Sequence, residues 1–110
     1  MPSYNTLDGI VNRLNQSADV KAQLSGQRKV VQFNVDGNAF MLQINEDGSA
    51  ELKKGIDAAP TVTLTASDEV MEGILAGKVN GVQAFMTGKL KLTGNIMEAQ
   101  KLVSALDRVR

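Results

Sequence analysis

Four groups of residues in this chain are of types that do chemistry. Glu46-Asp47 and Asp68-Glu69 are adjacent carboxylates, which serve acid–base work or cation binding when they converge on one point. Neighbours in a strand point to opposite faces, however, and neighbours in a helix diverge by about 100°. The first pair lies in a turn sequence and the second at a helix start, where acidic side chains favour the helix dipole, so both read as structural carboxylates. Gly73-Ile74-Leu75-Ala76-Gly77-Lys78 has the outline of a phosphate loop. That motif places four residues between its glycines and Ser or Thr after the lysine; here three intervene and Val79 follows, so Gly77 reads as a helix C-terminal glycine. Lys89, Lys91 and Thr93 alternate along one strand face, a weak anion patch or, more simply, the solvated face of a sheet. The fourth group is apolar: Met41, Met71, Met86 and Met97 accompany Phe33, Phe40 and Phe85, with no tryptophan. Methionine is flexible and polarisable and suits adaptable binding surfaces, but it is also ordinary core filler, and composition alone favours core.

The absences are equally informative. Among 110 residues there is no cysteine and no histidine. Disulfides, thiolate nucleophiles, Cys/His zinc sites and imidazole bases are therefore excluded, and neither a metal nor a cofactor is expected. No Ser, Asp or Lys stands in a pattern that supplies a nucleophile with a base and an orienting group, so an enzyme is not expected. Tyr4, the single tyrosine, falls at the end expected to be least ordered. Twelve cations balance twelve carboxylates, which leaves no basic excess for a nucleic acid. No apolar run approaches the roughly 20 residues that cross a bilayer. The first sixteen residues lack the layout of a secretory signal, and the ending ALDRVR is not a peroxisomal tripeptide address. The expectation is one domain, residues 1–110, cytoplasmic, with at most transient membrane contact.

Hydrophobic periodicity supplies the elements. Leu7, Ile10, Val11 and Leu14 share a helix face, with Ser3 as the expected N-cap. Ser17 caps a short helix carrying Val20 and Leu24, and Gly26 ends it. From residue 29 the period becomes 2: Val31, Phe33 and Val35 alternate with Gln32 and Asn34. Asp36-Gly37-Asn38 turns the chain into a strand with Phe40, Leu42 and Ile44 inward. Asp47-Gly48 turns it again, into a strand with Ala50 and Leu52 inward. After a loop ending at Pro60, TVTLTA is a fourth strand with Val62 and Leu64 on one face. Ser67 caps a helix carrying Val70, Met71, Ile74 and Leu75; Asn80 starts another, carrying Val82, Phe85 and Met86, which Gly88 stops. KLKLT is a fifth strand with Leu90 and Leu92 inward. Asn95, with Glu98 in a capping-box arrangement, opens a last helix whose stripe is Ile96, Ala99, Leu102, Val103, Leu106 and Val109. The order α-(α)-β-β-β-β-α-α-β-α predicts an α+β fold: a five-stranded, mostly antiparallel sheet with helices covering one face.

Residues 78–102, KVNGVQAFMTGKLKLTGNIMEAQKL, closely resemble the C-terminal signature of the sterol carrier protein 2 domain. The match is strongest at Ala84-Phe85, at Gly88-Lys89-Leu90-Lys91-Leu92-Thr93-Gly94-Asn95, and at Ala99 and Lys101-Leu102; residues 61–78 resemble the strand and helix before that signature. The run GKLKLTGN specifies a strand, a turn and a capped helix, so it identifies a fold better than a ligand. Where the family commonly has Phe-Phe, this chain has Phe85-Met86, a softer pair that reshapes any cavity.

The resemblance implies a noncatalytic stand-alone member whose sheet and helices enclose an apolar tunnel for a fatty acyl chain, an acyl-CoA or a sterol. Alternation combined with that architecture names the expected lining: Phe33, Phe40, Leu42, Val62, Leu64, Met71, Ile74, Leu75, Phe85, Met86, Leu90 and Leu92, with Met97 and Leu102 from the last helix. The other reading is a noncatalytic interaction module with a closed core, its last helix pairing with a second copy or a partner enzyme. The space between sheet and helices is what separates the two.

Overall fold

The computed structural model describes residues 1–109 as ten elements: α1 (Pro2–Asn15), α2 (Ala18–Leu24), β1 (Lys29–Val35), β2 (Asn38–Ile44), β3 (Ala50–Lys54), β4 (Val62–Ala66), α3 (Asp68–Leu75), α4 (Gly81–Met86), β5 (Lys91–Gly94) and α5 (Ile96–Val109). Kind and order agree with the periodicity. The sheet runs β3-β2-β1-β4-β5. β1 is antiparallel to β2, with Phe33 opposite Phe40, and parallel to β4, with Phe33 beside Leu64.

That one parallel pair shapes the far side of the sheet. Parallel neighbours need a crossover, so the chain leaving β3 must travel back before β4 begins. Residues 55–61 make this return over the face away from the helices and cover Gln32, which alternation alone would leave in solvent. Gln32 is 2% exposed. Its Nε2 donates to the carbonyls of Phe40 (3.1 Å) and Gly55 (3.0 Å), and its Oε1 accepts from the Asp57 N–H (2.9 Å). Each polar group of this buried amide is thus paired, as burial requires.

On the other face α1 lays Leu7, Ile10, Val11 and Leu14 into the core, all buried. Its start differs from the expectation. Met1 is the N-cap, Pro2 occupies the first turn, and Ser3 lies inside the helix, buried, with its N–H donating to Asp68 Oδ1 at 3.1 Å. Proline fits there because its missing N–H would have had no helical partner. Tyr4, expected in a loose end, packs edge-on against Phe40 (centroids 5.2 Å, interplanar 85°), and Phe40 stacks on Phe33 (5.2 Å, 9°).

The turn into α5 depends on Gly94. Its φ is +102°, and a Cβ there would meet the Thr61 carbonyl oxygen at 2.5 Å. Only glycine joins β5 to α5 this closely against β4.

Candidate functional site

Strand alternation sends Val31 and Phe33 of β1, Val62 and Leu64 of β4, and Leu92 of β5 to the helix side; the register sets Val31 beside Val62, Phe33 beside Leu64, and Leu64 opposite Leu92. Lys29 has the same parity as Val31 and Phe33, so a lysine also points into the apolar layer.

The structure sorts the expected lining residues into three groups. Phe33, Phe40, Leu42, Val62, Met71, Leu75, Leu90 and Leu102 are buried. Leu64, Ile74 and Leu92 are half-buried at the margin of the core. Phe85, Met86 and Met97 are exposed, the two methionines at 79% and 78%. Of the buried group only Val62 and Leu102 border an internal space, and that space is small. Between the sheet, α2 and α5 lies a cavity of about 10 Å³, with Leu24, Val31, Ile44, Val62 and Leu102 as its apolar walls and Thr61, Lys29, Glu98 and Lys101 as its polar ones. That is roughly the room for one water, against some 300–1,000 Å³ for a pocket holding a drug-sized ligand. An acyl chain does not fit this seam as it stands.

One ion pair bridges the seam. Lys29 Nζ and Glu98 Oε2 are 2.8 Å apart, the lysine side chain one-tenth exposed and the glutamate about one-quarter. Glu98 therefore does not close the capping box that its spacing predicts. Asn95 Oδ1 still accepts from the Glu98 N–H (3.1 Å), but the Asn95 N–H is taken by the Thr61 carbonyl (3.1 Å), which leaves the glutamate carboxylate to Lys29.

The two ends of α5 are held unequally. Its C-terminal half buries Ala105, Leu106 and Val109 and packs against α1 and α2. Arg13 Nε donates to the Val109 carbonyl (2.7 Å), and Arg108 Nη1 donates to Gln23 Oε1 (2.7 Å). The N-terminal half buries Ala99 and Leu102 and has the Lys29–Glu98 pair, while Ile96 and Met97 face outward. Ile96 and Val103, expected in the buried stripe, are both exposed because no element lies over them. α4 is similar: of its side chains only Ala84 is buried, and Val82, Phe85 and Met86 face solvent.

The carboxylate pairs do not converge on a site. Asp47 Oδ1 accepts from the Ser49 hydroxyl (2.6 Å) and the Ser49 N–H (2.9 Å), and these two bonds hold its carboxyl below the usual aspartate value. This stabilises a turn. On α3, Asp68 accepts from Ser3 and Glu72 from the Thr6 hydroxyl, tying α3 to α1. Among the described residues no three Asp, Glu, His or Cys side chains are grouped to hold a metal ion, and no helix is long and apolar enough to cross a membrane.

A profile of the SCP-2 sterol transfer family matches residues 10–107. The chain belongs to that family. A fatty acid-binding protein of Yarrowia lipolytica is 30% identical over 108 residues, covering 90% of this chain and 84% of the relative. The peroxisomal multifunctional enzyme A of Dictyostelium discoideum is 43% identical over 101 residues, covering 90% of this chain but only 22% of that enzyme. Among solved structures, sterol carrier protein 2 of Yarrowia lipolytica in its apo form superposes with a TM-score of 0.70 at 28% identity, covering 93% of this chain and 87% of the other. An SCP-2 domain thus makes up most of one relative and a fraction of another.

In this SCP-2 chain the signature run from Gly88 to Asn95 builds the edge strand and the turn that set α5 at its angle over β4. Lys29, Glu98 and Lys101, which line the seam, were not among the expected site residues. One signal for Lys29 lay in the sequence, its inward parity with Val31 and Phe33. Glu98 had none, because its spacing from Asn95 fits a helix cap equally well.

Proposed function

We propose that this chain is a noncatalytic carrier that binds a fatty acyl, acyl-CoA or sterol-like ligand in the layer between the sheet and α5, and that the N-terminal half of α5 swings outward to admit it. The observation that carries this reading is the unequal seating of α5. One end is fastened to α1 and α2, while the other is held beside β4 by the Asn95 N–H bond to the Thr61 carbonyl and to β1 by the Lys29–Glu98 pair, over an apolar seam with Ile96 and Met97 outside it. Phe85, Met86 and Met97 then serve as flexible apolar groups that close over the ligand, in keeping with the adaptability of methionine. Membership of the SCP-2 family and the names of its fatty acid-binding and sterol carrier relatives support the ligand class. A cysteine-free composition is in keeping with a cytoplasmic setting.

The energetics are adequate. Burial contributes roughly 0.8 kcal/mol per methylene, so about a dozen methylenes supply about 10 kcal/mol. Association consumes at least about 4 kcal/mol of this and the separation of α5 from the sheet more, so micromolar affinity takes burial of about fifteen methylenes or more, the length of a long fatty acyl chain. The test is displacement of a fluorescent fatty acid from the purified protein, with saturable micromolar binding expected. Failure to bind any of the acyl, acyl-CoA and sterol probes overturns the reading.

The small volume of the seam favours one alternative, a closed-core module that serves a partner enzyme or a second copy. It predicts a mass that rises with protein concentration and no displaceable lipid.

A further inference from the structure

We infer that the polar rim of the seam is an anion site that selects ligands ending in a carboxylate, which takes the place of the Glu98 side chain on Lys29. The inference rests on the carrier function proposed above and names the ligand class within it: a free fatty acid, rather than a sterol or an ester. The polar wall of the seam consists of Lys29, Thr61, Glu98 and Lys101. An ammonium has three N–H donors, and Glu98 Oε2, at 2.8 Å, is the one partner of Lys29 Nζ among the described residues. Lys101, half-buried, forms no ion pair among them. The Thr61 hydroxyl accepts from the Val30 N–H (3.2 Å) and keeps its own O–H to donate. Two ammonium groups and a hydroxyl therefore share the seam with one carboxylate, an excess of donors and of positive charge beside apolar walls.

The position of Glu98 turns this excess into selectivity. The glutamate lies in the first turn of α5, on the part that swings outward, whereas Lys29 is fixed in β1 opposite Ile44 of β2. Opening therefore carries the counterion away from a lysine whose side chain is one-tenth exposed. A nearly buried charge left without its partner is costly. An incoming carboxylate replaces like with like, so a fatty acid restores the pair that opening breaks. A sterol, an ester or an alcohol leaves the ammonium unpaired within a layer it has just covered, and bears that cost. The site is already fitted to a carboxylate, the group that Glu98 supplies, which favours that anion over a bulkier phosphate.

The test is direct equilibrium binding of radiolabelled palmitate, hexadecanol and hexadecyl phosphate to the purified chain and its variants. Palmitate is expected to bind the intact chain about tenfold or more tighter than hexadecanol, which has the same chain length and no charge. Glu98→Gln should tighten both ligands, because neither then has an ion pair to break, and should keep the preference. Lys29→Met should bring the two affinities within about threefold of each other while hexadecanol still binds. K29M/E98L should do the same, and it leaves no unpaired carboxylate that could disturb folding. Equal binding of palmitate and hexadecanol to the intact chain overturns the inference and leaves the carrier function standing. So does a preference that survives K29M/E98L, or one that disappears with Glu98→Gln. Hexadecyl phosphate binding about tenfold tighter than palmitate also overturns it, by giving the site to a phosphate. Binding of none of the three removes the carrier function, and this inference with it.

Discussion

Around β1, β2 and β3, α1 buries Leu7, Ile10, Val11 and Leu14, and its Tyr4 packs edge-on against Phe40, which stacks on Phe33. Around β5, α4 buries only Ala84, and α5 begins with Ile96 and Met97 in solvent. Both regions come from amphipathic sequence of similar quality. They differ in whether a second layer faces the apolar stripe. The first region behaves as a packed interior, where lost volume translates directly into lost stability. The second has apolar surface with little laid over it, which is the condition for adaptable binding and for local opening.

The largest effect that tests this contrast is in the packed region. Phe33→Ala removes a fully buried ring stacked on Phe40 and should cost about 3–5 kcal/mol in urea unfolding. Phe85→Ala, at a ring 45% exposed, should cost less than about 1 kcal/mol. Equal costs would mean that α4 is seated as firmly as α1, and the distinction between the regions would go.

Next in size is Gly94→Ala. A methyl group at φ +102° and 2.5 Å from the Thr61 carbonyl oxygen forces the backbone to shift, at a cost of about 1–3 kcal/mol. Amide exchange should accelerate at the start of α5 while β1 and α1 keep their protection. A uniform acceleration would show that the two regions open together.

Glu98→Gln is a smaller change aimed at the same end of α5. It leaves the nearly buried Lys29 ammonium without its counterion, which should cost about 1–2 kcal/mol, less than a fully buried pair because Glu98 is partly solvated. Exchange over residues 96–102 should quicken, and so should the association rate of a fluorescent fatty acid. Replacing both partners, Lys29→Met with Glu98→Leu, should restore stability and slow association, because the seam is then closed by apolar contact. Unchanged association in both variants would show that α5 is not the door.

How much of this was legible in the sequence follows the same division. Local features were. Asp36-Gly37 makes its hairpin with φ of +48° and +79°, and Ser17, Ser67, Asn80 and Asn95 all cap the helices they precede. The parallel pairing of β1 with β4 was not, because alternation looks the same in either direction, and the burial of Gln32 under the crossover went with it. A helical stripe states which residues share a face. It does not state whether anything packs on that face, which is why Ile96 and Val103 were expected inside and lie outside. The volume between two layers is a property of their spacing and cannot be read from either layer alone.

Met86→Ser and Met97→Ser carry the smallest effect on stability and the most specific information. Both side chains are more than three-quarters exposed, so each substitution should change unfolding free energy by no more than about 0.5 kcal/mol. If these methionines close over a bound chain, each becomes buried only in the complex. Burying a methionine side chain is worth about 1.5–3 kcal/mol, so fatty acid affinity should fall about tenfold or more for either variant. Stability would then be blind to these positions while binding depends on them, the reverse of what is expected at Phe33, where the ring's main role is to hold the fold. Unaltered affinity in both variants would place the ligand deeper, among the buried residues of the seam. The layers would then have to part further than a movement of the first turns of α5 provides, and association should respond more strongly to Leu102→Ala than to either methionine.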